Sequence, residues 1–235
     1  MQQDALKVEG ISCGYGRAMI LNSLSLEIKQ SQCVAMLGKN GMGKSTLLKA
    51  LCGFLPKKQG EVYIEGKRVT HYKPHRIARL NLAYAAQEQA IFTELTVKEN
   101  LSLALAHPDT FDQVFIPVGH LFPVFRERLS QKAGTLSGGE QKMLLVARCL
   151  IQRPDIIFLD EITEGLQPSV IDKIAEALDW ERRSHGTAMF IIEQNIGFAL
   201  RVSDRYLILK QGRIVDSGDS KAEGAAKKVY GYLTV

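Results

Sequence analysis

Two stretches of this 235-residue chain carry residue types that could do chemistry together. The first is Gly38-Lys39-Asn40-Gly41-Met42-Gly43-Lys44-Ser45, followed by Thr46. It matches G-x-x-x-x-G-K-[ST] and lies between an apolar run, residues 34–37, and a helical stretch, residues 44–52. Glycines at 38, 41 and 43 let the backbone curl so that successive N–H groups point inward, and the helix N-terminus adds partial positive charge; a polyphosphate fits such a cavity. Lys44 then reaches the β and γ phosphates as a point charge, and Ser45 presents its hydroxyl to Mg2+. The second stretch is Asp160-Glu161, which closes the apolar run 156–159. An open α/β sheet has its ligand crevice at such strand ends. The two-residue period of a strand sends the two carboxylates to different sides. Asp160 is expected to hold Mg2+, directly or through water, and Glu161 to polarise a water for in-line attack on the γ phosphate. The pair of stretches predicts nucleotide hydrolysis.

The elements that must position these groups follow from the pattern of apolar residues. Residues 6–8, 25–28, 34–37 and 61–64 read as short strands, a small β layer with a turn at Glu65-Gly66. The helix after the glycine loop is expected to stop at Gly53, with Pro56 beyond it. From Thr96 the character turns helical, opening on Thr96-Val-Lys-Glu99, a capping-box spacing, and continuing to about Ile151. Within it, residues 111–125 are apolar but interrupted by Pro117, Gly119 and Pro123, which predicts short helices or a loop, either packed as satellite core or partly exposed for docking. After Arg153-Pro154 buried strands alternate with a helix over residues 169–183 and a strand over 188–192, which argues for a parallel α/β sheet. Residues 206–215 read as a hairpin around Gln211-Gly212.

Composition sets the bounds. With 46% hydrophobic and 23% charged residues the chain can bury a sizeable core and is neither disordered nor fibrous. A net charge of +5 favours anions only mildly, and the absence of a basic stripe interleaved with aromatics argues against a nucleic acid partner. Cys13, Cys33, Cys52 and Cys149 form no C-x-x-C pair and read as reduced, buried thiols. No signal-like h-region and no apolar stretch of the ~20 residues a membrane span needs can be found, so a cytoplasmic location is expected, with any membrane role through a partner.

Leu136-Ser137-Gly138-Gly139-Glu140-Gln141 narrows the class of hydrolase. Ser137 and Glu140 have capping-box spacing, and the helix they open would bury Met143, Leu144, Ala147, Leu150 and Ile151. Together with the glycine loop and the acidic strand end, this segment resembles the signature of the ATP-binding cassette family, and the match spans nearly the whole chain. The resemblance implies a P-loop NTPase (RecA-like) α/β core with an N-terminal antiparallel β subdomain and an inserted helical subdomain. It divides the single domain into residues 1–87 and 152–235, which bind nucleotide, and residues 88–151, which carry the signature. It also implies that the signature of one subunit completes the ATP site of another in a head-to-tail dimer. Ser137, Gly138, Gly139 and Gln141 would then face the partner's γ phosphate, and loss of that bridge on hydrolysis would reopen the dimer.

Further roles follow from the same resemblance. Tyr15, in Gly14-Tyr-Gly16, stands where an aromatic stacks on adenine, and Gln87 where a glutamine contacts Mg2+ and water and senses the transporter. Gln194, in Ile192-Glu193-Gln194-Asn195, replaces a histidine that touches the γ phosphate; its amide donates a hydrogen bond but cannot become cationic. Lys44, Glu161 and Gln194 are the catalytic candidates. Glu164-Gly-Leu-Gln-Pro168 departs from the usual loop ending in aspartate, and Lys39 and Ile162 fill positions commonly held by proline. These departures, with Leu121-Phe-Pro ahead of Ala133-Gly-Thr-Leu-Ser137, resemble the ATP-binding subunits of branched-chain amino acid importers and their urea and amide relatives. That subfamily implies a second ATPase subunit, identical or different, two membrane permeases contacting the 111–125 surface near Gln87, and an external solute-binding protein. The chain would sit peripherally on the inner face of the membrane. Two alternatives are a cassette ATPase acting on DNA or ribosomes, and a regulatory nucleotide-binding subunit with little hydrolysis. The single cassette without a long coiled coil weighs against the first, and retention of Lys44, Asp160 and Glu161 against the second.

Overall fold

The structure is a computed structural model that describes residues 4–87 and 91–234; the expected start of the helical insertion at residue 88 lies outside them. The chain opens with two twelve-residue strands, β1 (Asp4–Tyr15) and β2 (Ala18–Lys29), paired antiparallel around a turn at Gly16. Next come β3 (Cys33–Leu37), α1 (Lys44–Leu51), β4 (Lys57–Ile64), β5 (Lys67–Arg68), α2 (Pro74–Ile77) and β6 (Leu82–Ala85). The helical stretch holds α3 (Val97–Ser102), α4 (Phe111–Leu121) and α5 (Gly138–Leu150). The remainder alternates: β7 (Ile156–Asp160), α6 (Pro168–His185), β8 (Ala188–Glu193), α7 (Ile196–Val202), β9 (Arg205–Lys210), β10 (Arg213–Asp219) and α8 (Ala225–Thr234).

Two sheets result. One has order β2-β1-β4-β5, with every pairing antiparallel. The other has order β10-β9-β3-β8-β7-β6, parallel from β9 to β6, with β10 added antiparallel through the turn at Gln211-Gly212. Both turn residues have positive φ, 49° and 73°, which suits the twist of a two-residue hairpin. Parallel strands need crossovers and are covered on both faces, and β3, β7 and β8 are accordingly buried at every position. Their side chains alternate between two cores. Ile156 and Phe158 join the antiparallel sheet and α1, whereas Ile157 and Leu159 join α5, α6 and the rest of the helical stretch. A third cluster seats α7 and α8 on Ala35, Leu37, Tyr206 and Ile208.

The capping box at Thr96 forms as its spacing predicts: the Glu99 N–H donates to Thr96 Oγ1 (3.2 Å) and the Thr96 N–H to Glu99 Oε2 (2.7 Å). Residues 111–125 differ from expectation. One helix, α4, runs through Pro117, and a single 3-10 turn follows over Pro123–Phe125. The missing proline donor is outweighed by burial of Phe111, Val118, Phe122 and Phe125 in the helical core. On this segment Ile116 remains exposed.

Candidate nucleotide site

The glycine loop leaves β3 beside its neighbour β9, and this proximity fixes its first residue. A Cβ on Gly38 would stand 2.6 Å from the Leu209 carbonyl oxygen, so only glycine fits. Gly43 takes φ 105° at the N-cap of α1, a conformation that side chains resist. The turn after β9 pins the loop from outside, because the Gly212 N–H donates to the Met42 carbonyl (3.1 Å). Lys39 and Asn40 are exposed, whereas Met42 is half-buried against the core.

Lys44, in the first turn of α1, is 4% exposed and lies back over its own loop. Its Nζ donates to the carbonyls of Gly38 (2.8 Å) and Lys39 (3.1 Å) and pairs with Glu161 Oε1 at 3.1 Å. Glu161 follows the last residue of β7 and has φ 48°, with its N–H bonded to the Ile192 carbonyl of β8 at 2.9 Å. The two-residue period therefore ends at Asp160 and does not govern Glu161. A left-handed residue turns the chain off the strand; Glu161 pairs with Lys44, whose charge also acts on Asp160.

Asp160 is 3% exposed, and its Oδ1 has no hydrogen-bond partner. The side chains of Ser45 and Tyr84 lie beside its carboxylate. Its pKa is pushed up to about 6, first by burial and then by the charge of Glu161, against the opposing pull of Lys44 and Ser45. A buried acid oxygen without a partner, next to a serine hydroxyl at the mouth of an anion cradle, fits Mg2+, which prefers oxygen ligands and shares its shell with phosphates and water. Among the described residues no cluster of three or more His, Cys, Asp or Glu could hold a metal ion.

The second oxygen of Glu161, Oε2, accepts from Gln194 Nε2 (2.8 Å) and Gln87 Nε2 (3.2 Å). The Gln87 amide nitrogen also reaches Glu164 Oε2 (3.0 Å), while Lys142 Nζ of α5 donates to the Gln87 main-chain carbonyl (3.1 Å). Asn40, Gly41 and Gly43 to Thr46 line one side of a cavity of about 400 Å³, and Gln87, Glu161 and Glu164 line the other.

Other expected residues lie elsewhere. Tyr15 is half exposed at the end of β1 and does not line this cavity. Ser137 caps α5 in the predicted box, accepting from the Glu140 N–H (3.3 Å), while the Ser137 N–H donates to Glu140 Oε2 (2.9 Å). Space beside Gly138 is open, and Gly139 meets only Val170 of α6. Gln141 turns its amide back onto the carbonyls of Ala133 and Leu136. Gly138 and Gln141 border a separate cavity of about 290 Å³ that also touches Gln87. The chain thus gathers the glycine loop, the two acids, Gln87 and Gln194, and leaves the signature facing outward.

Sequence reasoning missed the group that ties this arrangement together. Glu193, 2% exposed, accepts from the Thr163 N–H (3.1 Å), the Thr163 hydroxyl (2.8 Å) and the Gln194 N–H (3.2 Å). Burial pushes its pKa up, and those bonds pull it back. It locks the loop after β7 to the loop after β8 and so sets Glu161 against Gln194. An acid ending a fully apolar run was the available signal.

The family model described as "ABC transporter" matches residues 21–164, a span that holds the glycine loop, the signature and both acids. The chain belongs to the ABC transporter family. It is 38% identical over 212 residues to the high-affinity branched-chain amino acid transport ATP-binding protein BraG of Pseudomonas aeruginosa, covering 89% of this chain and 91% of that one. It is 34% identical to the probable branched-chain amino acid transport ATP-binding protein LivF of Archaeoglobus fulgidus, covering 91% of each. Among solved structures it matches the ADP conformation of an ATP-binding cassette of an ABC transporter with a TM-score of 0.86 at 25% identity, over 99% of this chain and 96% of that one. A nucleotide-free cassette matches with a TM-score of 0.85, also at 25% identity, over 97% and 95%. The expected ABC cassette fold, a P-loop NTPase core with antiparallel β and helical parts, is the fold observed.

Proposed function

We propose that this ABC-family chain is the ATP-binding and ATP-hydrolysing subunit of a transporter. Its 235 residues form one cassette, in which 1–87 and 152–235 hold the nucleotide and 88–151 carry the signature. The observation that carries the reading is the set of bonds converging on Glu161: Lys44 on one oxygen, Gln194 and Gln87 on the other, beside the cradle. Lys44 exchanges Glu161 for the phosphates of an incoming ATP, helped by the inward N–H groups of residues 38–46. Glu161, released from the lysine, takes a proton from the attacking water. Gln194 holds the acid's other oxygen and remains a neutral donor throughout. Ser45, Asp160 and Gln87 would hold Mg2+, directly or through water, and the ion would supply neutralisation of charge on the phosphates. Tyr15 stacks on the adenine, a contact of about 1 kcal/mol.

Ser137, Gly138, Gly139 and Gln141 complete the site of a second cassette, identical or different; the open space beside Gly138 and the capped N-terminus of α5 support this. The relatives' names support a role in importing branched-chain amino acids or related small amides, together with permeases and a solute-binding protein. Permease subunits would hold the chain at the inner face of the membrane, as the relatives' transport names suggest; among the described residues no helix is long and apolar enough to cross a membrane. Support for a permease contact on the helical side comes from exposed Ile116 and from a groove of about 610 Å³ lined by Leu105, His107 and Val114 on one side and exposed Arg79 and Arg153 on the other.

Phosphate release by the purified protein tests the reading. Glu161→Gln is expected to keep ATP binding and to slow Mg2+-dependent turnover at least ~100-fold, the scale for loss of a general base. Unchanged turnover removes Glu161 from that role.

A further inference from the structure

Gln87 lies two residues beyond the end of β6, and one atom of its side-chain amide lies 3.2 Å from Glu161 Oε2 and 3.0 Å from Glu164 Oε2. Ionised carboxylates only accept hydrogen bonds, so the atom between them must be the amide nitrogen, with one hydrogen for each acid. That choice leaves Oε1 as the amide atom turned away from both acids. The main chain of Gln87 is held separately, through the Lys142 ammonium on its carbonyl, so amide orientation is the freedom that remains.

The two acids are not equivalent anchors. Glu161 is buried and shared among Lys44, Gln194 and Gln87, and in the proposed cycle it must let go of Lys44 and accept a proton. Glu164 is exposed, lines the same cavity, and among the described residues has Gln87 as its one hydrogen-bond donor. It can keep its hold while Glu161 does chemistry. We infer that Glu164 is a positioning residue, whose carboxylate fixes the Gln87 amide with nitrogen toward the acids and Oε1 toward the cation that accompanies the nucleotide. Without it the amide keeps only its longer bond to Glu161 Oε2 (3.2 Å), an oxygen shared with Gln194, and turns a hydrogen-bearing nitrogen toward the cation more readily. This inference rests on the proposed nucleotide site and gives Glu164, through Gln87, a part in how firmly the cation is held.

The test measures binding rather than turnover. Binding of a non-hydrolysable ATP analogue is titrated in EDTA and again with Mn2+, and the ratio gives the factor by which the cation tightens the nucleotide. Glu164→Ala is expected to cut that factor about five-fold, the scale of one hydrogen bond, while leaving affinity in EDTA unchanged. Glu164→Gln keeps an acceptor oxygen without the charge and should restore most of the factor. In a Gln87→Ala background, Glu164→Ala should have no further effect, because it acts through the glutamine. Thermal melts of each variant check folding. Equal losses in Glu164→Ala and Glu164→Gln, an unchanged factor in Glu164→Ala, or additive losses with Gln87→Ala would each overturn the positioning role while the nucleotide reading stands. A wild type whose nucleotide binding does not respond to Mn2+ overturns that reading, and this inference with it.

Discussion

Asp160 should destabilise the nucleotide-free protein. Its carboxyl is buried at 3% exposure, one oxygen has no partner, and its pKa rises from 3.8 to about 6 through burial and the neighbouring charge of Glu161. A shift of roughly two units at ~1.4 kcal/mol each sets an upper bound of about 3 kcal/mol on the cost of holding the ionised form at pH 7. Asp160→Asn removes the charge and keeps an acceptor for Ser45, but it adds an amide hydrogen where Oδ1 already lacked a partner. A net gain of about 1–2 kcal/mol is therefore expected, a rise in Tm of about 3–6 °C for a protein of this size. Because the folded pKa lies above the unfolded one, the folded state binds the extra proton between pH ~4 and ~6. The wild-type penalty is thus complete above pH ~6 and fades as pH falls toward ~4. Calorimetry of both proteins from pH 7.5 to pH 5 should show the advantage of Asp160→Asn at the high end shrinking at the low end. A variant no more stable than wild type at pH 7.5, or an advantage constant with pH, would refute the reasoning. The same substitution should abolish the extra stability that Mg2+ gives to the nucleotide complex, which ties the cost to the site.

Two further outcomes follow. Lys44→Ala should weaken nucleotide binding itself, read by fluorescent ATP titration; equal affinity in variant and wild type would argue against the cradle. Gln194→His places a titratable ring where an amide lies 2.8 Å from Glu161, so turnover should acquire a pH dependence near ~6.5 that the wild type lacks, and a flat profile would contradict Gln194 as a neutral donor in contact with the base.

Features that depend on short spacings were readable from residue types alone. Gly38 to Ser45 form the predicted glycine turn from β3 into α1, and the boxes at Thr96–Glu99 and Ser137–Glu140 close as their three-residue spacing requires. The alternation after Pro154 gave the parallel sheet, because β7 and β8 are buried on both faces. What escaped depends on partners distant in sequence. Pro117 reads as a break, yet burial of Phe111, Val118, Phe122 and Phe125 carries α4 through it. The left-handed turn at Glu161 is set by the Ile192 carbonyl on the adjacent strand, so a strand period could not anticipate it. Glu193 and Glu164 act on residues 30 and 77 positions away; the apolar run before Glu193 hints at its burial, but nothing in the immediate neighbours of either names its partner.

In the proposed dimer the glycine loop of one chain and the signature of another grip the same triphosphate. All four native cysteines are buried, so cysteines introduced at exposed Asn40 and Ser137 offer a clean crosslink. In the Glu161→Gln background, mixing Asn40→Cys protein with Ser137→Cys protein should give a disulfide-linked dimer when ATP and Mg2+ are present and little without them. Crosslinking that is absent, or indifferent to nucleotide, would contradict the account.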